Sequence, residues 1–334
     1  MKKKVILSFD YELFFGDRSG TVQKTLIEPT NQLLDAMDSV GFKGNFFVDW
    51  QMLKYLKEEE TERTDADYKL IEEQLKDMVR RGHRIELHIH PHWVDAKYNG
   101  DGTWDYSEFR HYSLNTFAED EIVEMFKEGA NLLTNIARQV APDYKLAAFR
   151  AGGWAVQPFE KIKKGMMAAN IYIDSSVLPG VHVVCDNSEC NFFDAPEKKE
   201  GWYRFSEDVC NEDENGEFLE IPISRTQTGF LRKIANRLFK KSKYDFTSPT
   251  DGTHIRAKDN PDKWEMNGPG SLCTFSYVVP FCVPLFRFED KRDVICFIDH
   301  PKDINQYTCK SIRLLSHVAK TVQYKDYLDY GKRV

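Results

Sequence analysis

Three histidines and a pair of carboxylates stand where two separate stretches of apolar sequence end. Asp10 and Glu12 follow directly on the apolar run 5–9. The run 84–88 leads into three histidines within five residues, namely His88, His90 and His92. Carboxylate and imidazole groups together form a common ligand set for a divalent transition ion, with positions left open for water and substrate. The sequence therefore predicts a metal site assembled from two strands.

The spacing of the histidines leaves open which of them bind the ion. His88 and His92 are four residues apart, and a turn at Pro91 would bring both inward. His90 lies on an extended backbone after His88 and need not point at the same centre. His83 precedes the strand, and we predict a structural role for it.

Further ionisable side chains follow later apolar runs. They are Arg150, Asp174, Glu220, Asp299 and His300. In folds built from parallel strands the chemistry lies at the carboxyl ends of those strands, so these groups are candidates for one shared site. For Arg150 and Asp174 a purely structural ion pair is the alternative interpretation.

Apolar runs alternate with stretches of helical periodicity along most of the chain. The predicted strands cover residues 5–9, 44–49, 84–88, 146–149, 171–173, 218–223 and 294–298. Such alternation is typical of parallel β/α units, and a long series of them favours an α/β barrel or a barrel-like sheet in a single domain, 1–334.

The stretch 225–293 interrupts this alternation and is predicted to be an insertion. Apolar and basic residues are mixed in 230–243; the basic ones are Arg232, Lys233, Arg237, Lys240, Lys241 and Lys243. A basic amphipathic segment is typical of a lid or of peripheral contact with a membrane surface. A solvated helix face is the alternative.

Composition narrows the classes of function. The 334 residues carry 46 Lys and Arg against 53 Asp and Glu, a net charge of −7, which argues against a nucleic-acid partner. The first residues lack the apolar region of a signal peptide, and the seven cysteines include no C-x-x-C pair. We therefore expect a cytoplasmic protein with reduced thiols.

Seven short motifs, taken in order, resemble those of the polysaccharide deacetylase superfamily (NodB homology, carbohydrate esterase family 4). They are SFDYE at 8–12, NFFV at 45–48, GHRIELHIHPH at 82–92, FRAGGW at 149–154, YIDSSVLP at 172–179, LEIP at 219–222 and FIDHP at 297–301. The resemblance covers residues 5 to 305. It implies a deformed, seven-stranded (β/α) barrel that hydrolyses N-acetyl or O-acetyl groups on sugars.

The resemblance also implies a ligand set and catalytic roles. Glu12, His88 and His92 would hold a divalent ion, with zinc expected. Asp10 would accept the proton of a water molecule, and Arg150 would keep that carboxylate ionised.

Other groups are expected to act on the leaving group and the substrate. His300 would protonate the departing amine, and Asp174 would orient His300 or Arg150. The side chains expected at the substrate are Trp93, Trp154, Glu220 and His90, with simple packing as the alternative for the tryptophans.

The motifs depart from the family pattern at two places. Tyr11 stands where the family has a second aspartate, but Asp10 and Glu12 are two residues apart and face the same side of an extended strand. Gly152 stands where the family has a proline.

The expected substrate is an acetylated sugar or glycan precursor of cell-surface polysaccharide or lipopolysaccharide synthesis, because no secretion signal is recognisable. One alternative is another C–N hydrolase of the superfamily, allantoinase-like or deformylase-like, some of which work without metal. A non-catalytic carbohydrate-binding protein is the third interpretation.

Overall fold

The computed structural model describes residues 2–16, 18–108, 110–185, 188–226, 229–239, 241–254, 263–266 and 270–331. These ranges contain sixteen strands: β1 (Lys3–Tyr11), β2 (Asn45–Asp49), β3 (Arg84–Ile89), β4 (Lys97–Tyr98), β5 (Trp104–Asp105), β6 (Ala148–Ala151), β7 (Ile173–Asp174), β8 (Val181–Cys185), β9 (Ser188–Asn191), β10 (Tyr203–Phe205), β11 (Phe218–Glu220), β12 (Arg225–Thr226), β13 (Lys263–Met266), β14 (Ser271–Leu272), β15 (Val294–Asp299) and β16 (Ala319–Thr321). The same ranges contain nine α-helices: α1 (Glu28–Asp38), α2 (Trp50–Glu58), α3 (Glu62–Arg80), α4 (Glu119–Arg138), α5 (Phe159–Ala168), α6 (Phe230–Leu238), α7 (Phe286–Glu289), α8 (Thr308–Leu315) and α9 (Leu328–Gly331).

Seven parallel strands form the central sheet of the described chain, in the order β11-β7-β6-β3-β2-β1-β15. β10 adds an antiparallel edge to β11, and β16 pairs with the first residues of β1. Beyond β15 the curl of the sheet continues through irregular backbone. There the Ser224 N–H donates to the Cys296 carbonyl, and the Ser224 carbonyl accepts from the Cys273 N–H, both at 2.9 Å. The predicted α/β fold, a deformed seven-stranded barrel, is confirmed as a curled sheet.

β1 is buried on both faces, which explains its continuous apolar sequence. Leu7 and Phe9 belong to the large core between the sheet and the helices, whereas Ile6 belongs to a smaller core inside the curl. Because side chains alternate along a strand, Ser8 and Asp10 follow Ile6 into the interior.

The lower part of the interior is filled by apolar side chains. Ile6 and Phe47 meet Ile173 there, and the chain after β16 contributes Tyr324 and Tyr327. The polar strand ends lie beyond this apolar layer, at the carboxyl edge of the sheet.

Glycines end the helices that lead into β2 and β3. Gly41 and Gly82 have φ values of +70° and +81°, which favour glycine, and they follow α1 and α3 within three residues. The short connections bring β2 back beside β1, and β3 back beside β2.

The described parts of 225–293 add short strands and helices beside the central sheet. β12 pairs with β14, and β13 joins the hairpin of β8 and β9. α6 and α7 lie in the same stretch. No described helix is long and apolar enough to cross a membrane.

Candidate metal and catalytic site

The carboxyl ends of β1, β3 and β6 bring the predicted site residues together. Asp10 lies near the end of β1, and Glu12 follows the strand directly. His88 of β3 is in register with Arg150 of β6, and His90 follows β3. All five side chains are buried.

Glu12, His88 and His90 form a group whose potential ligand atoms all lie within 4.8 Å of one another. Glu12 Oε2 is 3.1 Å from His88 Nε2 and 2.5 Å from His90 Nε2. One carboxylate and two imidazoles are a donor set suited to a divalent transition ion.

The structure differs from the predicted ligand set in one histidine. His90 is still extended after β3, so it faces the same side as His88, two residues earlier. His92 lies in the turn that begins at Pro91, and its ring packs 4.7 Å from Phe15. The sequence left open whether His90 points at the same centre as His88, and in the structure it does, because residues two apart on an extended strand share a face.

The surroundings of His92 disfavour the protonated, charged form of its imidazole. Burial lowers the pKa of its imidazole well below the usual value, and the neighbouring His90 lowers it further. The His92 ring is therefore neutral, and its packing on Phe15 places it beside the metal group.

The tautomer of His88 supports a cation in this group. Its Nδ1–H donates to the Arg150 carbonyl oxygen at 2.7 Å, so in the neutral ring Nε2 carries a lone pair directed at Glu12 Oε2. A lone pair facing a carboxylate oxygen is repulsive unless a proton or a metal ion lies between them. The residues present therefore fit a divalent ion.

Lys302 is a site residue that the sequence analysis missed. Its Nζ donates to Glu12 Oε1 at 2.7 Å and to the Leu13 carbonyl at 2.9 Å, which leaves Oε2 for the histidines. Burial alone would raise the pKa of Glu12, but His90 and Lys302 outweigh it and hold that pKa well below its usual range.

Asp10 and Arg150 form a buried ion pair. Arg150 Nη1 lies 2.5 Å from Asp10 Oδ1, while Nε donates to the Ser175 carbonyl and Nη2 to the Ser8 hydroxyl. Burial raises the pKa of Asp10, but Arg150 and His88 outweigh burial and lower it. The carboxylate is thus ionised and held in one orientation.

His300 lies at the open side of the site and is 27% exposed in its side chain. Its Nε2 is 3.7 Å from Asp10 Oδ2 and 3.6 Å from Glu12 Oε1. The carboxylate beside its Nδ1 is Asp303, at 3.4 Å, which also accepts from His254. Asp174 was expected to orient His300 or Arg150, and at His300 the structure places Asp303 instead.

Asp174 and Glu220 form a separate carboxyl pair. Asp174 accepts from the N–H and hydroxyl of Ser176, and Glu220 accepts from the N–H of Val177. Burial raises the pKa of both groups, and their mutual repulsion raises that of Glu220 further. Glu220, expected at the substrate, is instead a buried partner of Asp174, and the pair braces the loop whose Ser175 holds Arg150.

The two tryptophans differ in what they can contact. Trp93 is 1% exposed; its Nε1–H donates to Asp49 Oδ2 at 2.6 Å, and its ring lies 4.9 Å from that of Trp104. Burial excludes the expected stacking of Trp93 on a substrate. Trp154 is half-buried on the turn after β6, so it remains a candidate for contact with the substrate.

Asp49, at the end of β2, is a second group that the sequence analysis missed. Burial raises its pKa to about 6, although His90 and His88 oppose that change. Its position at a strand end beside the other site residues was the signal available in the sequence.

Gly152 has a geometric reason to be glycine. A Cβ at this position would lie 2.6 Å from His90 Nδ1 and 2.7 Å from the Ile89 carbonyl oxygen. Glycine at this position therefore makes room for the His90 ring.

Comparisons with known proteins give structural matches only. No protein-family model matches the sequence, and the search of curated proteins returns no match. A 4-alpha-glucanotransferase from Thermococcus litoralis is 13% identical with a TM-score of 0.51; the match covers 98% of this chain and 38% of that one. It shows a shared fold.

Polysaccharide deacetylases are also among the similar structures, at low sequence identity. A protein from Mycobacterium smegmatis classed with them is 14% identical with a TM-score of 0.47, and the match covers 98% of this chain and 90% of that one. A peptidoglycan N-acetylglucosamine deacetylase is 12% identical with a TM-score of 0.42, covering 100% of this chain and 91% of that one. A fold alone does not define an activity, so the residues of the site must decide it.

Proposed function

We propose that this protein is a divalent-metal-dependent hydrolase that removes an acetyl group from an acetylated sugar. The observation that carries the proposal is the buried Glu12–His88–His90 group beside the Asp10–Arg150 ion pair. Zinc is the ion we propose. When bound, such an ion polarises an acyl carbonyl and acidifies water.

The chain's own residues supply the proton transfers. Asp10, ionised and fixed by Arg150, is placed to accept a proton from water. His300 reaches the same space from the open side and is placed to give a proton to the leaving amine, with Asp303 beside its other ring nitrogen. An amine leaving group needs such an acid because it departs poorly as an anion.

We place the substrate among cytoplasmic glycan precursors of cell-surface polysaccharide or lipopolysaccharide synthesis. The precursor would be nucleotide-linked, lipid-linked or oligosaccharide. Trp154, at the half-exposed turn after β6, is the candidate for contact with a sugar ring.

The test is release of acetate from N-acetylated sugars in each of these three forms, with allantoin and a formamide compared in parallel. We expect Asp10→Asn to lower kcat by about 10²–10⁴-fold while sugar binding persists, because a general base contributes on that scale. Asp120→Asn, an exposed carboxylate at the start of α4, is the matched control.

Three outcomes would contradict the proposal. Turnover of allantoin or the formamide, but of no acetylated sugar, would point to the other C–N hydrolases. Full acetate release by carefully demetallated protein would remove the role of the metal. Sugar binding without any turnover would indicate a binding protein.

A further inference from the structure

α6 presents its apolar residues outward. Phe230 and Leu238 are 76% and 72% exposed, and Leu231 and Ile234 are exposed on the same helix. Directly after the helix, exposed Phe239 stacks on exposed Phe281, with ring centroids 5.0 Å apart. We call these six residues the α6 patch.

The polar anchor of the helix points the other way. Arg232 is 3% exposed, its Nε lies 2.9 Å from Glu289 Oε2, and its guanidinium lies 4.6 Å from the Phe286 ring. Glu289 also accepts from the Gly229 N–H at the start of the helix. A helix on the surface of a globular protein usually buries its apolar side chains, whereas α6 exposes them and buries Arg232.

Basic side chains surround the α6 patch. Lys233, Arg237, Lys241 and Lys243 are all exposed, and exposed Lys310 lies 4.5 Å from the Phe281 ring. Lys240 lies outside the described residues. The sequence 229–244 contains no acidic residue, although the whole chain carries −7.

We infer that the α6 patch docks on the surface of an anionic lipid bilayer. Such a surface has acyl chains beneath anionic headgroups. The exposed aromatic and aliphatic side chains match the acyl chains, and the surrounding Lys and Arg side chains match the headgroups. A second copy of the chain fits less well, because a two-fold interface would bring the basic rings of both copies together. The inference is independent of the proposed reaction.

The experiment is co-sedimentation of the full chain with phosphatidylcholine vesicles, with and without phosphatidylglycerol. We expect binding only to the anionic vesicles, and weaker binding as salt is raised, because surface charges are screened. Failure to bind anionic vesicles, or equal binding to both kinds, would overturn the inference.

Two double variants separate the contributions of the patch. Phe230→Ser with Leu238→Ser should lower binding by more than about tenfold, through loss of buried apolar area. Lys233→Glu with Arg237→Glu should lower vesicle binding by at least about fivefold for each residue changed, because each basic residue is attracted to anionic lipid. Leu70→Ser, on exposed Leu70 of α3, should bind like wild type.

Size-exclusion chromatography of wild type and of the Phe230→Ser, Leu238→Ser variant tests whether the α6 patch binds a second copy of the chain instead. We expect the same elution volume for both. A wild-type dimer that the Phe230→Ser, Leu238→Ser change converts to a monomer would overturn the inference in favour of self-association. Because all the changed side chains are exposed, melting temperatures should match wild type, and the charge variant gives an independent result if the apolar one unfolds.

Discussion

Arg150 connects the reactive carboxylate to three separate parts of the chain. It pairs with Asp10, donates to Ser8 and Ser175, and its Nη2 reaches the Tyr324 hydroxyl at 3.3 Å. Its guanidinium also lies 4.2 Å from the Phe47 ring. A lysine, with a single nitrogen, cannot reproduce these directions.

We predict that Arg150→Lys lowers the free energy of unfolding by about 3–5 kcal/mol, because it leaves a buried carboxylate poorly paired. Urea unfolding measures the change. Arg63→Lys is the control: Arg63 pairs with Asp67 but is about half exposed, so that change should cost less than about 1 kcal/mol. Equal losses of free energy of unfolding in the two variants would show that the contacts of Arg150 add no more stability than those of half-exposed Arg63.

His83 gives a prediction about pH. Its Nδ1 accepts from the Gly44 N–H and its Nε2 lies 3.2 Å from Asp38, so the neutral ring fits the site. Burial lowers its pKa to about 4, although Asp38 opposes this. In the unfolded chain the pKa is about 6.5, so the unfolded state binds more protons below that pH and stability falls.

We expect His83 to cost about 2 kcal/mol of stability between pH 7.5 and pH 5, the loss beginning near pH 6.5 and ending near pH 4. The measurement is urea unfolding at both pH values. His83→Asn keeps an acceptor for Gly44 but cannot titrate, so its stability should depend less on pH. An identical pH dependence in both proteins would disprove the assignment.

Single-residue roles were predictable where strand periodicity decided them. Asp10 and Glu12 were placed on one face correctly, and buried Tyr11 faces the helices, where its hydroxyl donates to Gln74 Oε1. The choice between His90 and His92 depended on where β3 ends and the turn at Pro91 begins. The local sequence gives only a weak signal for the exact residue at which a strand or helix ends. Asp303 was missed because its role depends on a turn, not on a strand.

At the scale of elements, the central strands were predicted because burial on both faces gives them continuous apolar sequences. The stretch 225–293 was predicted to be an insertion only because it interrupts the alternation of strands and helices. Its short strands pair with distant partners, such as β13 with β8, and local sequence carries no signal for such pairing.

The turn after β6 yields an element-scale prediction. Gly152→Ala puts a methyl group against His90 and the Ile89 carbonyl, so the turn or the histidine must move. We expect stability to fall by about 1–3 kcal/mol, as for other overpacked sites, and affinity for zinc to fall with it. Isothermal titration and urea unfolding measure the two effects.

Gly41→Ala is the control for that change, because the added methyl meets open space and Gly41 precedes β2, whose opposite end lies beside His88. Its φ of +70° still costs stability, but zinc affinity should be unchanged. Unchanged zinc affinity in Gly152→Ala would contradict the placement of His90 among the ligands.

At the scale of the whole molecule, the site depends on chain segments far apart in sequence. Tyr324, near the end of the described chain, fills the interior and touches the Arg150 network. Irregular backbone at Ser224 continues the curl beside β15. The sequence predicted a barrel but not how these segments complete it, because no local pattern encodes contacts over such separations.

The central claim is that Glu12, His88 and His90 hold one divalent ion. Zinc titration of chelator-treated protein by calorimetry tests it directly. We predict one site in wild type and in His92→Gln, and at least about 100-fold weaker binding in His90→Gln, since even groups that only support a ligand are worth 10–100-fold. No zinc binding by wild type, or loss of binding in His92→Gln but not in His90→Gln, would contradict the account.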